Sequence, residues 1–296
     1  MAANTSGSAL AAGALVVNAA IWGLSWWPLR ELQSAGLHPL WATACIYGLI
    51  ALGIVAWYPG VLKGLQAHPQ IAWLALAAGL TNVCFNWAVT VGDVVRVVLL
   101  FYLMPAWSVL VAWLLLGEKP NAASLVRLLM AMAGVLIVLK TPGADWPLPR
   151  SVADGLALLG GLSFAVTNAL LLKLKHTPSG SRMLAMFAGG AVLPGAAALV
   201  GWGFGALAAP SLQLASLPLF AGLLAAFVVS NIALQFGAAR LAASTTALVM
   251  LTEILFAGVS AAVWGATDLS PRIFWGGSLI VLAALWAAAA HPKNRA

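Results

Sequence analysis

Residues 94–120 read VVRVVLLFYLMPAWSVLVAWLLLGEKP. No charged residue interrupts the run between Arg96 and Glu118, and its length is close to the ~20 residues a helix needs to cross ~30 Å of hydrocarbon. The same signal recurs along the chain. Cutting at charged and Pro- or Gly-bearing breaks gives apolar stretches near 9–29, 40–58, 71–91, 94–116 and 122–139. Five more follow near 153–172, 183–203, 217–237, 241–265 and 273–290. The expected fold class is an all-α polytopic membrane protein with ten transmembrane helices.

Composition agrees, because 63% of the 296 residues are hydrophobic and only 7% are charged, more apolar surface than a soluble domain can bury. The formal charge of +7 comes from fourteen Lys and Arg scattered singly, with no basic stripe for nucleic acid. Positive-inside topology accounts for it: Lys63, Lys119, Lys173, Lys175, Arg182, Arg240, Lys293 and Arg295 share the side of both termini. Arg30, Arg96, Lys140, Arg150 and Arg272 lie on the other side. That bias expects cytoplasmic N- and C-termini. Arg127, within the fifth span, is expected to snorkel to the headgroups. The stretch through Trp27 has neither a basic start nor a cleavage site, so it is read as a retained first span. Cys45 and Cys84 fall inside spans and are expected as free apolar thiols.

The halves repeat. Gly23-Leu24-Ser25-Trp26 in the first span answers Gly161-Leu162-Ser163-Phe164 in the sixth. Asn86-Trp87-Ala88 with Gly92 in the third answers Asn231-Ile232-Ala233 with Gly237 in the eighth, at a similar offset. Duplication of a five-span unit gives a first repeat over 1–140, a proline-stiffened linker over 141–152 with Pro142, Gly143, Pro147 and Pro149, and a second repeat over 153–296. An odd number of spans inserts the second copy upside down, the inverted-repeat arrangement of carriers, with a substrate site at the midplane and alternating access.

Leu103-Met104-Pro105 running into Leu114-Leu115-Leu116-Gly117-Glu118-Lys119-Pro120, then Gly134-Val135-Leu136-Ile137, resembles the EamA-type repeat of the drug/metabolite transporter superfamily. Within it the chain most resembles the YddG-type exporters of aromatic amino acids. The resemblance implies a ten-span bacterial inner-membrane protein that exports Phe, Tyr, Trp and other neutral amino acids. Where that family has Glu-Pro in span nine and a closing Gly-Glu, this chain has Glu253-Ile254 and Gly265-Ala266.

Asn82 and Asn86 stand at i and i+4 beside Phe85, and Asn231 with Gln235 repeats the spacing on span eight. Amides at such depth either tie helices together or line a cavity for a substrate's amino and carboxylate groups. Trp22 and Trp26, Tyr102 and Trp107, and Phe164 lie deep enough to form an aromatic wall for a ring or a flat cation, with Asn168 one turn beyond Phe164. Trp41, Trp57, Trp73, Trp146, Trp264, Trp275 and Trp286 fall near span ends, where an aromatic belt is expected. Glu253 is the acid at mid-span, a coupling candidate or a structurally bonded carboxyl. Asp93 belongs to a short turn and is expected to be solvated. Pro105 and Pro194 are expected to interrupt the fourth and seventh helices, Pro105 as a gating candidate.

The sequence has no phosphate-binding Gly-x-x-x-x-Gly-Lys loop, so no ATP is expected to drive it. His38, His68, His176 and His291 map to loops or termini, so neither a metal site nor a cofactor is expected. A lone Glu253 gives no catalytic cluster, and enzyme activity is not expected. The partners are the bilayer and a small molecule; a monomer is one reading, and the small residues Gly189, Gly190, Ala221 and Gly222 allow close helix packing within one protomer as readily as between two. Alternative readings are an exporter of flat organic cations such as methyl viologen, a carrier of another small metabolite, and a passive channel. Phosphorylated substrates would call for basic residues at mid-depth.

Overall fold

The computed structural model describes residues 2–92, 94–139, 149–264 and 271–290. Asp93, Lys140, Pro142, Gly143, Trp146, Pro147, Gly265-Ala266, His291, Lys293 and Arg295 lie outside them, as does most of the linker. Among the described residues the chain forms fourteen α-helices: α1 (Ala2–Leu24), α2 (Trp26–Ser34), α3 (Pro39–Trp57), α4 (Gly60–Ala67), α5 (Ile71–Val91), α6 (Val94–Phe101), α7 (Met104–Leu116), α8 (Ala122–Leu139), α9 (Val152–Lys173), α10 (Ser179–Gly203), α11 (Leu217–Ala238), α12 (Ala243–Met250), α13 (Glu253–Val263) and α14 (Pro271–Ala289). They make ten helical stretches long and apolar enough to cross a bilayer, as the hydropathy pattern requires. Apolar side chains cover the outside, among them Leu52, Leu114, Leu129 and Phe274, as lipid contact demands. Trp57, Trp73, Trp264 and Trp275 are exposed near span ends.

Three spans are built from two helices. The first breaks at Ser25, whose hydroxyl donates to the Trp22 carbonyl at 2.7 Å, so a nominally single stretch becomes α1 and α2. The fourth and ninth break alike, each an eight-residue helix followed by a short gap, at Tyr102-Leu103 and Leu251-Thr252. Pro105 therefore sits in the first turn of α7 rather than within a kinked helix. A proline there removes an N–H that has no helical partner anyway. Pro194 also departs from expectation, since α10 runs through it from Ser179 to Gly203.

The glycines of the repeated motifs make matching close approaches. A Cβ on Gly23 would sit 2.6 Å from the Glu253 carbonyl oxygen, at the break of the ninth span, and one on Gly161 would sit 2.6 Å from that of Phe101, at the break of the fourth. Gly92 lies against Ala153 at the start of α9, and Gly237 against Ala11 and Leu15 early in α1. Any side chain at these positions would push the helices apart. α5 runs along α9 and α10, α1 along α11, and α8 along α14. Gly7, Ser8 and Ala290 line one cavity, so the start of α1 and the end of α14 share one face of the bundle, the terminal face.

Outside the spans, His38 caps α3 by accepting from the Leu40 N–H at 3.2 Å, and burial lowers its pKa. Both cysteines are free thiols.

Candidate functional site

A cavity of about 100 Å³ lies near the middle of the bundle. At the 10–15 Å³ one water requires on this measure, it takes on the order of seven waters, about the liquid volume of one small molecule. Residues from α1, α3, α5, α6, α7, α9, α10, α11, α12 and α13 reach it, so both halves of the chain build the wall.

Seven sequence candidates line the cavity: Trp22, Asn82, Phe85, Asn86, Phe164, Asn231 and Glu253. Asn82, Phe85 and Asn86 share a face of α5, as their spacing requires. The aromatic wall is real but differently composed. Trp22 stacks on Phe227 with centroids 4.9 Å apart, Phe227 meets Tyr47 edge-on at 5.7 Å, and Tyr47 meets Phe187 at 5.0 Å. On the other side Phe85 and Phe164 flank Phe101, at 4.7 and 6.2 Å.

Five candidates lie off the cavity. Trp26 belongs to α2, and the break at Ser25 turns it away from Trp22. Its indole N–H donates to the Ser260 hydroxyl at 2.9 Å, with its ring edge-on to Trp264. Tyr102 is buried behind the wall, in the gap between α6 and α7, where its hydroxyl is hydrogen-bonded to the Glu253 carboxyl. Asn168 is fully buried with neither amide atom partnered. Pro105 lines a separate small void with Ser124, Arg127 and Thr245. Gln235 is buried one turn beyond Asn231, toward the terminal face.

Gln235 matters nonetheless, through a residue that charge counting placed only on the side of the termini. Arg182 is 5% exposed. Its Nε donates to Gln235 Oε1 at 3.2 Å and its Nη1 to the Leu174 carbonyl at 2.7 Å. A guanidinium can only donate, so the Gln235 amide must turn its oxygen to Arg182 and its nitrogen to Asn231. Nε2 of Gln235 donates to Asn231 Oδ1 at 2.7 Å. Asn231 is then left with its N–H₂ group for the cavity, where the nearest acceptor is the weak thioether of Met186, 3.5 Å away.

Asn82 has the opposite polarity. Its Nδ2 donates to the Ala78 carbonyl at 2.9 Å, and a backbone carbonyl can only accept. The Asn82 carbonyl oxygen is therefore the group left for the cavity. Asn86 donates to the Thr43 hydroxyl at 3.0 Å. The cavity thus has a donor pole on α11 and an acceptor pole on α5, with the Glu253 carboxyl at its wall.

Several lining residues escaped sequence reading. Asn18 bonds both Ser230, whose hydroxyl donates to its Oδ1 at 2.6 Å, and Met250 Sδ at 3.1 Å. The signal for Asn18 was present, because Asn18 and Trp22 stand at i and i+4. The same rule was applied forward to Trp26, across a helix break that hydropathy does not register. Tyr47, Thr167 and Phe227 carried no distinguishing pattern.

Residues 9–140 match the EamA-like transporter family. No curated protein sequence matches the chain. Twenty-one solved chains resemble the structure; one, titled only as a crystal structure of protein, has a TM-score of 0.76 at 16% identity, over 94% of this chain and 96% of its own. At that identity the likeness is one of fold. The ten spans describe a multi-pass membrane protein by length and apolar character, and the stretch 9–140 is similar to an EamA-like transporter domain.

Proposed function

We propose that this protein is a transporter that exports neutral amino acids with aromatic side chains, in the manner of the YddG-type exporters its motifs resemble. The observation that carries the reading is the polarised central cavity. A zwitterion's carboxylate meets the Asn231 N–H₂ group, its ammonium meets the Asn82 carbonyl oxygen and Glu253, and its ring lies among Trp22, Phe227 and Tyr47 or Phe85, Phe101 and Phe164. Neutral amides suit a substrate of no net charge. A fixed Lys or Arg in the wall would favour phosphorylated anions instead, and the lining residues include none.

The halves 1–140 and 153–296 act as inverted repeats that rock about this site. Matching breaks in the fourth and ninth spans and the paired glycine contacts support that relation, and the cavity between them is where such carriers bind substrate. Both termini lie in the cytoplasm of a bacterial inner membrane, and one chain suffices, since residues of one chain complete the wall. Glu253 couples transport to protons by releasing its carboxyl proton to the open side as the substrate ammonium replaces the Tyr102 hydroxyl as its partner, and by taking a proton up again when the substrate leaves.

The test is uptake of labelled phenylalanine or tryptophan into proteoliposomes, with and without an imposed pH gradient. Saturable uptake with counterflow distinguishes the carrier from a passive channel. An acid beside aromatic rings also favours a second reading, a flat organic cation held by cation–π attraction. Inhibition of phenylalanine uptake by excess methyl viologen but not threonine would favour that reading, and the reverse pattern would support amino acids.

A further inference from the structure

A second cavity, of about 940 Å³, opens on the terminal face and shares no lining residue with the central site. Its wall is basic: Lys119, Arg127, Lys175 and Arg240 line it, against one acid, Glu118. Three of the cations come from loops or helix ends, where they are inexpensive. Arg127 does not, because it lies within α8 and is 8% exposed. It does not snorkel out to bulk headgroups. Its guanidinium carbon instead lies 5.7 Å from the centroid of the Trp286 ring, and its Nε has no hydrogen-bond partner. A buried guanidinium with an unused donor is costly unless an acceptor is supplied.

Two helix starts reinforce the same polarity. Ala123 and Ser124 in the first turn of α8 and Ser244 and Thr245 in the first turn of α12 line the cavity. The α8 start is capped by Asn121 Oδ1, which accepts from the Ser124 N–H at 2.8 Å. The α12 start has no side-chain cap, so its first-turn N–H groups and the positive end of its dipole are available to an anion. Arg240 is held in place by donating to the Phe236 carbonyl at 2.9 Å, with its guanidinium 3.7 Å over the Phe236 ring.

We propose that this cavity binds a phosphate-bearing anion, with Arg127 and the open first turn of α12 as its inner contacts and Lys119, Lys175 and Arg240 at its mouth. Leu10, Val109, Phe236 and Trp286 give the same cavity an apolar rim, which suits a phosphate attached to acyl chains as in an anionic phospholipid. A free phosphate shares the recognising chemistry. The site is independent of the central one, and its test does not read transport.

The full chain, purified in detergent, is titrated with phosphatidylglycerol or phosphatidylcholine of the same acyl chains and adducts are counted by native mass spectrometry. A parallel arm measures thermal stabilisation by inorganic phosphate. Tighter binding of phosphatidylglycerol, weakened roughly fivefold for each basic side chain removed in Arg127→Gln, Arg240→Gln and Lys175→Gln but unchanged in Lys63→Gln, supports the lipid form. Stabilisation by phosphate alone, lost in the same variants, supports the free anion. Arg240 and Lys175 are exposed, so their variants keep the test decisive if Arg127→Gln does not fold. Equal binding of the two lipids without phosphate stabilisation would overturn the proposal, as would wild-type affinity in all three variants.

Discussion

Gln235→Glu separates the polarity of the cavity from its shape. The substitution is isosteric and lies outside the cavity wall, and the new carboxylate still accepts from Arg182 Nε, now 3.2 Å from Gln235 Oε1. A carboxylate cannot donate to Asn231 Oδ1, whose 2.7 Å bond to Gln235 Nε2 is therefore lost. The Asn231 amide must rotate to give its Nδ2 to the new acid, and its carbonyl oxygen then faces the cavity. A substrate carboxylate loses one charge-assisted hydrogen bond, worth about 1.5–3 kcal/mol, and faces an oxygen in its place. The apparent affinity for phenylalanine should fall roughly 10- to 100-fold, while the melting temperature stays level or rises through the new ion pair. Substrate-dependent quenching of tryptophan fluorescence, or competition in proteoliposome uptake, reads the affinity. Affinity within twofold of wild type, in a protein of normal stability, would refute the fixed direction of the Arg182–Gln235–Asn231 chain.

Trp22→Ala removes the ring stacked on Phe227 at 4.9 Å and should weaken binding of aromatic substrates about 10-fold, roughly the 0.5–1.5 kcal/mol of an aromatic pair together with lost apolar contact. Binding of alanine or threonine should change far less, as side-by-side competition would reveal. Trp26→Ala should leave affinity within about twofold and lower the melting temperature, because Trp26 bonds Ser260 rather than substrate; a larger affinity loss would return it to the site. Gly189→Val should cost about 1–3 kcal/mol or prevent folding, since overpacking a tight contact has that cost and a Cβ at Gly189 would collide with the Ala75 carbonyl across the α5–α10 contact; an unchanged melting curve would show that the two helices separate easily. Glu253→Gln should abolish the response of uptake to an imposed pH gradient while counterflow persists at weaker affinity, because the amide oxygen still accepts from the substrate ammonium, and a retained response would move coupling elsewhere.

Membrane insertion was legible in sequence because lipid leaves so few solutions. Every backbone polar group must be satisfied within the segment, and a stretch such as 94–116 can meet that only as a helix. The count of ten spans, most of their ends, and the face shared by Asn82, Phe85 and Asn86 follow from hydropathy and a 3.6-residue period alone. The breaks at Ser25, Tyr102-Leu103 and Leu251-Thr252 do not follow, because the residues beside each break stay apolar and the local turns that satisfy its backbone, such as the Ser25 N–H to the Trp22 carbonyl and the Thr252 N–H to the Val249 carbonyl, leave no mark in hydropathy. For that reason Trp26 parted from Trp22, and Pro105 marks the first turn of a helix where a kink was expected. Charge counting placed Arg182 only on the side of the termini; tertiary packing buried it there, where the carbonyl of Leu174 and the amide of Gln235, 53 residues away along the chain, accept from it. Sequence determined which residues were polar at depth. Tertiary structure decided which way each amide points, because a hydrogen bond's direction is set by the partner across the bundle and by whether that partner is able to donate.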